Sequence, residues 1–317
     1  MNMNRNVLVV GAGYWGKKVI SEYCKLLDAK FLDNVYVFDT DKRLLDFSDK
    51  RVKAIANIDD LIKNVNFAHI CTPNATHFKL AERFLTSGIA TLVEKPLTEA
   101  LDEAERLVKI ADSNSVPLRV GMVYRYSESV AKAKESLGYS VGRAELINAT
   151  WLHNIDTPNI QRVMKDRDVV WDVFIHLLDV IGYLFDSFPS FSYAEGRSGG
   201  NKYNHSFNAF GNLGTSMVSI RSTFISHRKE RRIEIIGSKG NLEIDLLNNR
   251  ISFGNDEDFR TINFYDNPLL SEIKDFIDSK QHDDKRSSGR IGYDEVKLIS
   301  HLLDLSEKNR INRGDPL

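Results

Sequence analysis

Cysteine is almost absent: Cys24 and Cys71 are the only two in 317 residues. Cys24 lies within a helical pattern and Cys71 at the end of an apolar strand, and their spacing matches neither a disulfide framework nor a metal site. Both read as reduced packing residues, and no metal is expected. Net charge is also lacking, with 43 basic against 44 acidic residues, so no strong field points to nucleic acid or an anionic lipid surface. No apolar run is long enough to span a bilayer. Met1 to Arg5 precede the first strand directly, which predicts no signal peptide and a cytoplasmic location. Repeats and low-complexity tracts are missing too. The 42% hydrophobic content is that of a globular protein, and the length predicts two domains.

The N-terminal third is organised around Val7 to Gly16, VLVVGAGYWG. An aliphatic run ends in three glycines and passes directly into a helical pattern, the reading of a strand, a tight turn and a helix. Gly11 permits the turn, Gly13 leaves the backbone open to a pyrophosphate, and Gly16 lets the helix lie close to its strand. Tyr14 and Trp15 occupy the same turn. Phosphates are expected at the N–H groups that begin the helix. A second strand, Val35 to Phe38, leads to Asp39, about twenty residues beyond the last glycine, where a carboxylate can accept both hydroxyls of an adenosine ribose. Asp39 favours NAD, although Lys42 and Arg43 leave NADP possible.

Strands and helices alternate up to about Gly121, the pattern of a doubly wound parallel sheet whose ligands bind beyond the carboxyl ends of its strands. Expected strands include Asn66 to Cys71, Ala90 to Val93 and Leu118 to Gly121, and expected helices Thr76 to Ser87 and Thr98 to Ser113. Two further loops therefore carry candidate residues. Thr72, Pro73, Asn74, Thr76 and His77 follow one strand and offer short polar groups for capping or cofactor contact. Glu94, Lys95 and Pro96 follow the next, with Pro96 holding Lys95 in an extended backbone. An ammonium there can polarise a substrate oxygen, or simply pair with Glu94.

After Gly121 the pattern changes to long β-rich segments punctuated by glycines, among them Gly142, Gly199, Gly200, Gly214, Gly237 and Gly240. These predict an open, mainly antiparallel sheet with one covered face. The predicted organisation is a Rossmann domain over 1–121 and an α+β domain over 122–317. Two closing helices, Leu269 to Ser279 and Tyr293 to Lys308, are available to pack back on the first domain. Between Val169 and Phe185 lies an almost wholly apolar helix interrupted by Asp172, His176, Asp179 and Tyr183. At about 100° per residue these four fall within roughly 60° of one another. Asp168 and Asp186 extend the stripe, Asp168 equally as an N-cap. A histidine there can take a hydroxyl proton while a carboxylate orients its ring; a satisfied core histidine is the alternative.

GAGYWG, TPNATH, EKPL, Tyr124-Arg125 and Asp172-Val-Phe-Ile-His176-Leu-Leu-Asp179 together resemble the glucose-fructose oxidoreductase/inositol dehydrogenase/MocA family over essentially the whole chain. The resemblance implies a Rossmann domain plus an α+β domain with an open sheet used for oligomer contacts, here a homodimer or homotetramer. It also implies NAD(P)-dependent hydride transfer at a sugar or polyol hydroxyl. Lys95 matches the catalytic lysine, and Asp172 and His176 match the Asp-x-x-x-His pair, with His176 the general base in oxidation. Arg125 is a candidate substrate contact. Lys165 to Val169 replace the glycine cluster that many members carry, which alters the pocket wall. The segments Arg167 to Asp172 and Ser226 to Gly240 look like members associated with nucleotide-activated sugars. The basic run Arg228 to Arg232 can cluster donors on a diphosphate or form a solvated strand edge. A sugar-nucleotide dehydrogenase, a free polyol dehydrogenase and a non-catalytic dinucleotide-binding regulator are the competing readings.

Overall fold

The computed structural model describes residues 5–157, 160–198, 200, 202–278 and 286–313. They form two compact units, Met1–Val123 with Asn267–Val296, and Tyr124–Asp266 with Lys297–Leu317. The expectations for Gly199 and Ser279 lie outside the described residues.

Unit 1 is built on six parallel strands: β1 (Asn6–Val10), β2 (Asn34–Phe38), β3 (Val52–Ala54), β4 (Phe67–Ile70), β5 (Ala90–Glu94) and β6 (Leu118–Gly121), ordered β3-β2-β1-β4-β5-β6. β1 and β4 are buried at every residue, as strands covered on both faces must be. Strand order reverses between β1 and β4, so the crevice for a ligand opens past Val10 and Ile70. The helices α1 (Tyr14–Asp28), α2 (His77–Thr86) and α3 (Leu101–Asn114) connect the strands. A late helix, Pro268–Asp278, returns to this unit and buries Leu269, Ile273, Phe276 and Ile277 in one core with Val19, Ile20 and Tyr23 of α1. Those four lie at helical spacing on one face. β3 gives no signal in sequence because it is three residues long and two of them are exposed.

Unit 2 carries eight strands: β7 (Ala144–Asn154), β8 (Ser190–Ser198), β9 (Asn204–Leu213), β10 (Ser216–Ser226), β11 (Glu230–Gly237), β12 (Asn241–Asp245), β13 (Arg250–Gly254) and β14 (Phe259–Asn263). Their order is β14-β13-β12-β11-β7-β10-β9-β8, and β7 with β10 is the parallel pair in an otherwise antiparallel sheet. Burial alternates along β10, with Val218, Ile220 and Phe224 inward and Met217, Arg221 and Ile225 exposed. One face is therefore covered, by the elements α4 (Glu128–Ser136), a π-helical turn (Val170–Phe174) and α6 (Ile175–Phe185). A short helix, α5 (Ile160–Asp166), precedes that turn. At its other end α6 stops at Asp186 in the left-handed region, where Lys134 donates to the Tyr183 carbonyl at 2.7 Å and to Asp186 at 2.5 Å. No described helix is long and apolar enough to cross a membrane.

Candidate active site

The glycine turn has the geometry its sequence predicts. Gly11 sits at φ +100°, and a Cβ there would meet the Cys71 carbonyl oxygen at 2.7 Å. A Cβ on Gly16 would lie 2.0 Å from the Gly11 carbonyl oxygen, so α1 can approach its own entry turn only with glycine at that position. Gly13 faces open space and is the N-cap of α1, with no side-chain cap. The first N–H groups of α1 are thereby left to an anion. Asp39 stands beside the turn: Oδ2 accepts from the Ala12 N–H at 2.7 Å and Oδ1 from the Asp41 N–H at 2.8 Å. Two backbone donors fix the carboxylate at the end of β2, and the carboxylate has acceptor capacity left for ribose hydroxyls. Arg43 is engaged by Asp41 through two bonds of 2.8 Å, which holds Arg43 above its usual range and Asp41 below its own. Trp15 is partly buried with its indole nitrogen enclosed, whereas Tyr14 is 77% exposed, with the Lys18 ammonium 4.6 Å from its ring. This cradle fits NAD: an acid-fixed ribose position, an uncapped helix start and a Cβ-free turn.

The two neighbouring loops are tied together from behind. His77, placed in the sequence reading among cofactor contacts, is instead an interior staple with 1% exposure. Its Nδ1 lies 2.8 Å from the Pro96 carbonyl oxygen and its Nε2 2.9 Å from that of Thr72. Burial is the larger influence and pulls its pKa down, against the two carbonyls and the charges of Glu94 and Glu99. Thr76 Oγ1 donates to the Pro73 carbonyl at 2.8 Å, so the 2.6 Å contact with Thr72 has Thr72 as donor. Asn74 donates to Glu99 at 2.7 Å. Lys95 is half-buried at the end of β5, and its peptide bond to Pro96 is cis.

Glu94, which precedes Lys95, ends a side-chain chain that the sequence did not disclose. Tyr23 Oη lies 3.2 Å from His69 Nδ1, and His69 Nε2 3.2 Å from Glu94 Oε1. A neutral ring satisfies both contacts if Tyr23 donates to Nδ1 and Nε2–H donates to Glu94. Gly121 makes room for the Glu94 carboxylate, whose Oε2 would be 2.8 Å from a Cβ at that position. Cys71 lies close enough for the three ligand atoms of His69, Cys71 and Glu94 to fall within 4.8 Å of one another. Both ring nitrogens of His69 are already used, and burial pushes the Cys71 thiol well above its usual pKa, so packing accounts for this group.

In unit 2 the polar stripe resolves into separate fates. Asp168 caps: Oδ1 accepts from the Val170 N–H at 2.9 Å, and Oδ2 accepts from the Asn204 backbone and side-chain N–H groups at 2.8 and 2.9 Å. Asp172 sits in the π-helical turn and accepts from Arg167 at 3.0 Å. The π-helical turn breaks the uniform 100° step, so the expected alignment of Asp172 with the residues of α6 rested on a helix type that does not run through both. Asp179 is buried at 1% exposure and accepts from Arg125 Nε at 2.5 Å. Arg125, expected as a substrate contact, is thus itself buried and committed to a carboxylate, with its guanidinium 5.5 Å from the Tyr183 ring. His176 lies among aromatic rings. Its centroid is 5.4 Å from that of Trp151, nearly parallel at 17°, and 5.3 Å from that of Tyr124, nearly perpendicular at 82°.

The basic run is not one cluster. Arg228 pairs with Glu230 at 2.8 Å, and Arg232 with Glu243 at 2.8 Å and Glu230 at 3.3 Å. Arg231 alternates to the covered face, directly across from Trp151 in β7.

Residues 5–122 match the GFO_IDH_MocA oxidoreductase family, NAD-binding Rossmann fold. The N-terminal unit thus carries the NAD-binding domain of this family. A UDP-N-acetylglucosamine 3-dehydrogenase from Acidithiobacillus ferrooxidans is 24% identical over 244 residues, 77% of this chain and 74% of that protein. Its crystal structure superposes with a TM-score of 0.84 at 21% identity, covering 96% of this chain and 99% of that one. A myo-inositol 2-dehydrogenase from Thermotoga maritima is 23% identical over 85% of this chain and 86% of its own length. A levoglucosan dehydrogenase in complex with NADH and levoglucosan has a TM-score of 0.79 at 17% identity, over 96% and 98% of the two chains. At these identities the structural likeness establishes the fold: a parallel Rossmann sheet and a mostly antiparallel eight-stranded sheet. The protein is an NAD-binding oxidoreductase similar to Gfo/Idh/MocA dehydrogenases.

Proposed function

We propose that this dehydrogenase oxidises a secondary hydroxyl of a nucleotide-linked sugar, or reduces the corresponding ketone, with Lys95 polarising the substrate oxygen and His176 as general acid/base. NAD supplies the hydride acceptor when bound. Gly11, Gly13 and Gly16 with the start of α1 hold its pyrophosphate, and Asp39 its adenosine ribose. Thr72, Pro73 and Asn74 frame the cofactor side of the crevice, and Glu94 anchors the strand end that presents Lys95. The Lys95 ammonium stabilises the negative charge that develops on the oxygen. His176 takes the hydroxyl proton during oxidation and returns it during reduction, while Asp172, with Arg167, orients the substrate or the His176 ring. The observation that carries this reading is His176 itself, a titratable ring held between Trp151 and Tyr124 near the start of α6.

The exposed face of the sheet bears Phe210, Met217 and Ile225, each at least 46% exposed. That supports an interface with a second copy of the chain. The inositol dehydrogenases among the relatives support a second reading, a free polyol substrate. The test is reduced-nicotinamide absorbance over free sugars, inositols, and UDP-, GDP- and dTDP-linked sugars, with wild type, Lys95→Met and His176→Asn. Turnover confined to nucleotide-linked sugars, lost in both variants while NAD still binds, is expected. Turnover of free inositols alone moves the substrate to the polyol class, and unchanged rates in either variant remove that residue from the mechanism.

A further inference from the structure

Arg231 is the member of the basic run that faces inward, toward the ring cluster around His176. On β11 it lies across from Trp151 of β7, on the face shared by the buried Ile233 and Ile235, whereas Arg232 and Glu230 fall on the other face. Its guanidinium carbon is 4.3 Å from the Trp151 ring centre, and Nη1 donates to the Tyr124 hydroxyl at 2.9 Å. Trp151 and Tyr124 are the two rings that hold His176. A guanidinium has five N–H donors, and the Tyr124 bond uses one. Arg228 and Arg232 both face carboxylates, but no carboxylate lies within salt-bridge distance of Arg231 among the described residues. The arrangement is a half-buried cation over the Trp151 ring, held by one bond to Tyr124 and with donors left for two oxygens. A guanidinium fork recognises a phosphate or a carboxylate by paired, charge-assisted bonds, which a lysine does not reproduce.

We propose that Arg231 is a specificity-determining residue of the substrate site, binding an anionic group carried by the sugar whose hydroxyl reacts at His176. The anion is a diphosphate on the anomeric carbon or a carboxylate on the hexose. Both present paired oxygens within a few bonds of a reacting ring hydroxyl. The inference rests on the reading of His176 as the acid/base group.

The test uses the full-length NAD-loaded enzyme. UDP and glucuronate are titrated calorimetrically into wild type, Arg231→Met and Arg231→Lys, and KM and kcat are measured separately on a nucleotide-linked sugar. Methionine keeps an apolar stem on Trp151, and lysine keeps the charge without the fork. Wild type is expected to bind one of the two anions, and Arg231→Met to weaken that binding about 10- to 100-fold. Arg231→Lys should recover only part of the loss, and KM should change by a larger factor than kcat. Loss confined to UDP identifies the diphosphate, and loss confined to glucuronate the carboxylate. Binding of both anions within twofold of wild type in Arg231→Met overturns the proposal, as does a wild type that binds neither. His176→Asn separates the two readings: it should bind the anion normally and fail to turn over, so turnover in that variant defeats the acid/base assignment while leaving the Arg231 result intact.

Discussion

The pair Arg125–Asp179 decides whether Arg125 belongs to the substrate site or to the interior of unit 2. Its side chains are 6% and 1% exposed and meet at 2.5 Å, so neither charge has ready access to water. Removing one partner of such a pair leaves the other charge buried, at a cost of about 3–5 kcal/mol, whereas replacing both with apolar groups of similar volume is about neutral. Asp179→Leu should therefore destabilise unit 2 by about 3–5 kcal/mol, a fall in Tm on the order of 10 °C for a unit of this size. The double variant Arg125→Met/Asp179→Leu should recover most of that loss. Urea titrations followed by tryptophan fluorescence and by circular dichroism measure the effect, with the slope m checked for constancy so that a shift in midpoint reads as stability. A loss below about 1 kcal/mol in the single variant, or no recovery in the double, refutes the buried-pair account. A double variant of normal stability whose KM rises tenfold returns Arg125 to the substrate site.

Asp39→Ala removes the carboxylate that two backbone N–H groups fix beside the glycine turn. NAD should bind about 10- to 100-fold more weakly, the worth of one or two charge-assisted bonds in a half-exposed site, and the preference for NAD over NADP should fall; fluorescence titration with unchanged affinity removes Asp39 from ribose recognition. His77 gives a pH signature. Its folded-state pKa lies below the ordinary 6.5, so the unfolded chain binds the extra proton, and the contribution is complete above about pH 6.5 and lost as pH falls through the folded value. Unfolding midpoints between pH 7.5 and 5 should fall more steeply in wild type than in His77→Gln, and a shallower slope in wild type refutes the sign.

Much of unit 1 was legible because its signals are local. The β1 turn, Asp39 and the alternation up to Gly121 all lie within short windows where period and glycine position determine structure. Segments with little apolar content to count were missed: β3, with two of three residues exposed, and β14, exposed at four of its five. The site residues failed differently. Arg125 reads as a free cation beside Tyr124 because its partner Asp179 lies 54 residues away. His77 looks like a cofactor contact because the Pro96 carbonyl that it meets belongs to another strand's loop. A recoverable signal lies in β7 and β11. Their period-two alternation places Trp151 with Ile147 and Ala149, and Arg231 with Ile233 and Ile235, on covered faces, which singles out Arg231 before any contact is known.

The stripe on the buried helix illustrates why charge pattern alone does not identify a catalytic group. A buried carboxylate must be matched by donors or opposite charge, and here each is: Asp168 by Val170 and Asn204, Asp172 by Arg167, Asp179 by Arg125. Groups locked in this way serve best as fixed charges, because changing their protonation breaks the bonds that place them. A group that gains and loses a proton in every turnover needs surroundings that hold its ring in both states. Aromatic faces and edges do that, since the Trp151 stack and the Tyr124 edge constrain the His176 plane through packing. Arg231, joined to the same two rings, adds a permanent positive charge to this cluster, and an anionic substrate bound there would offset that charge as the reacting hydroxyl arrives.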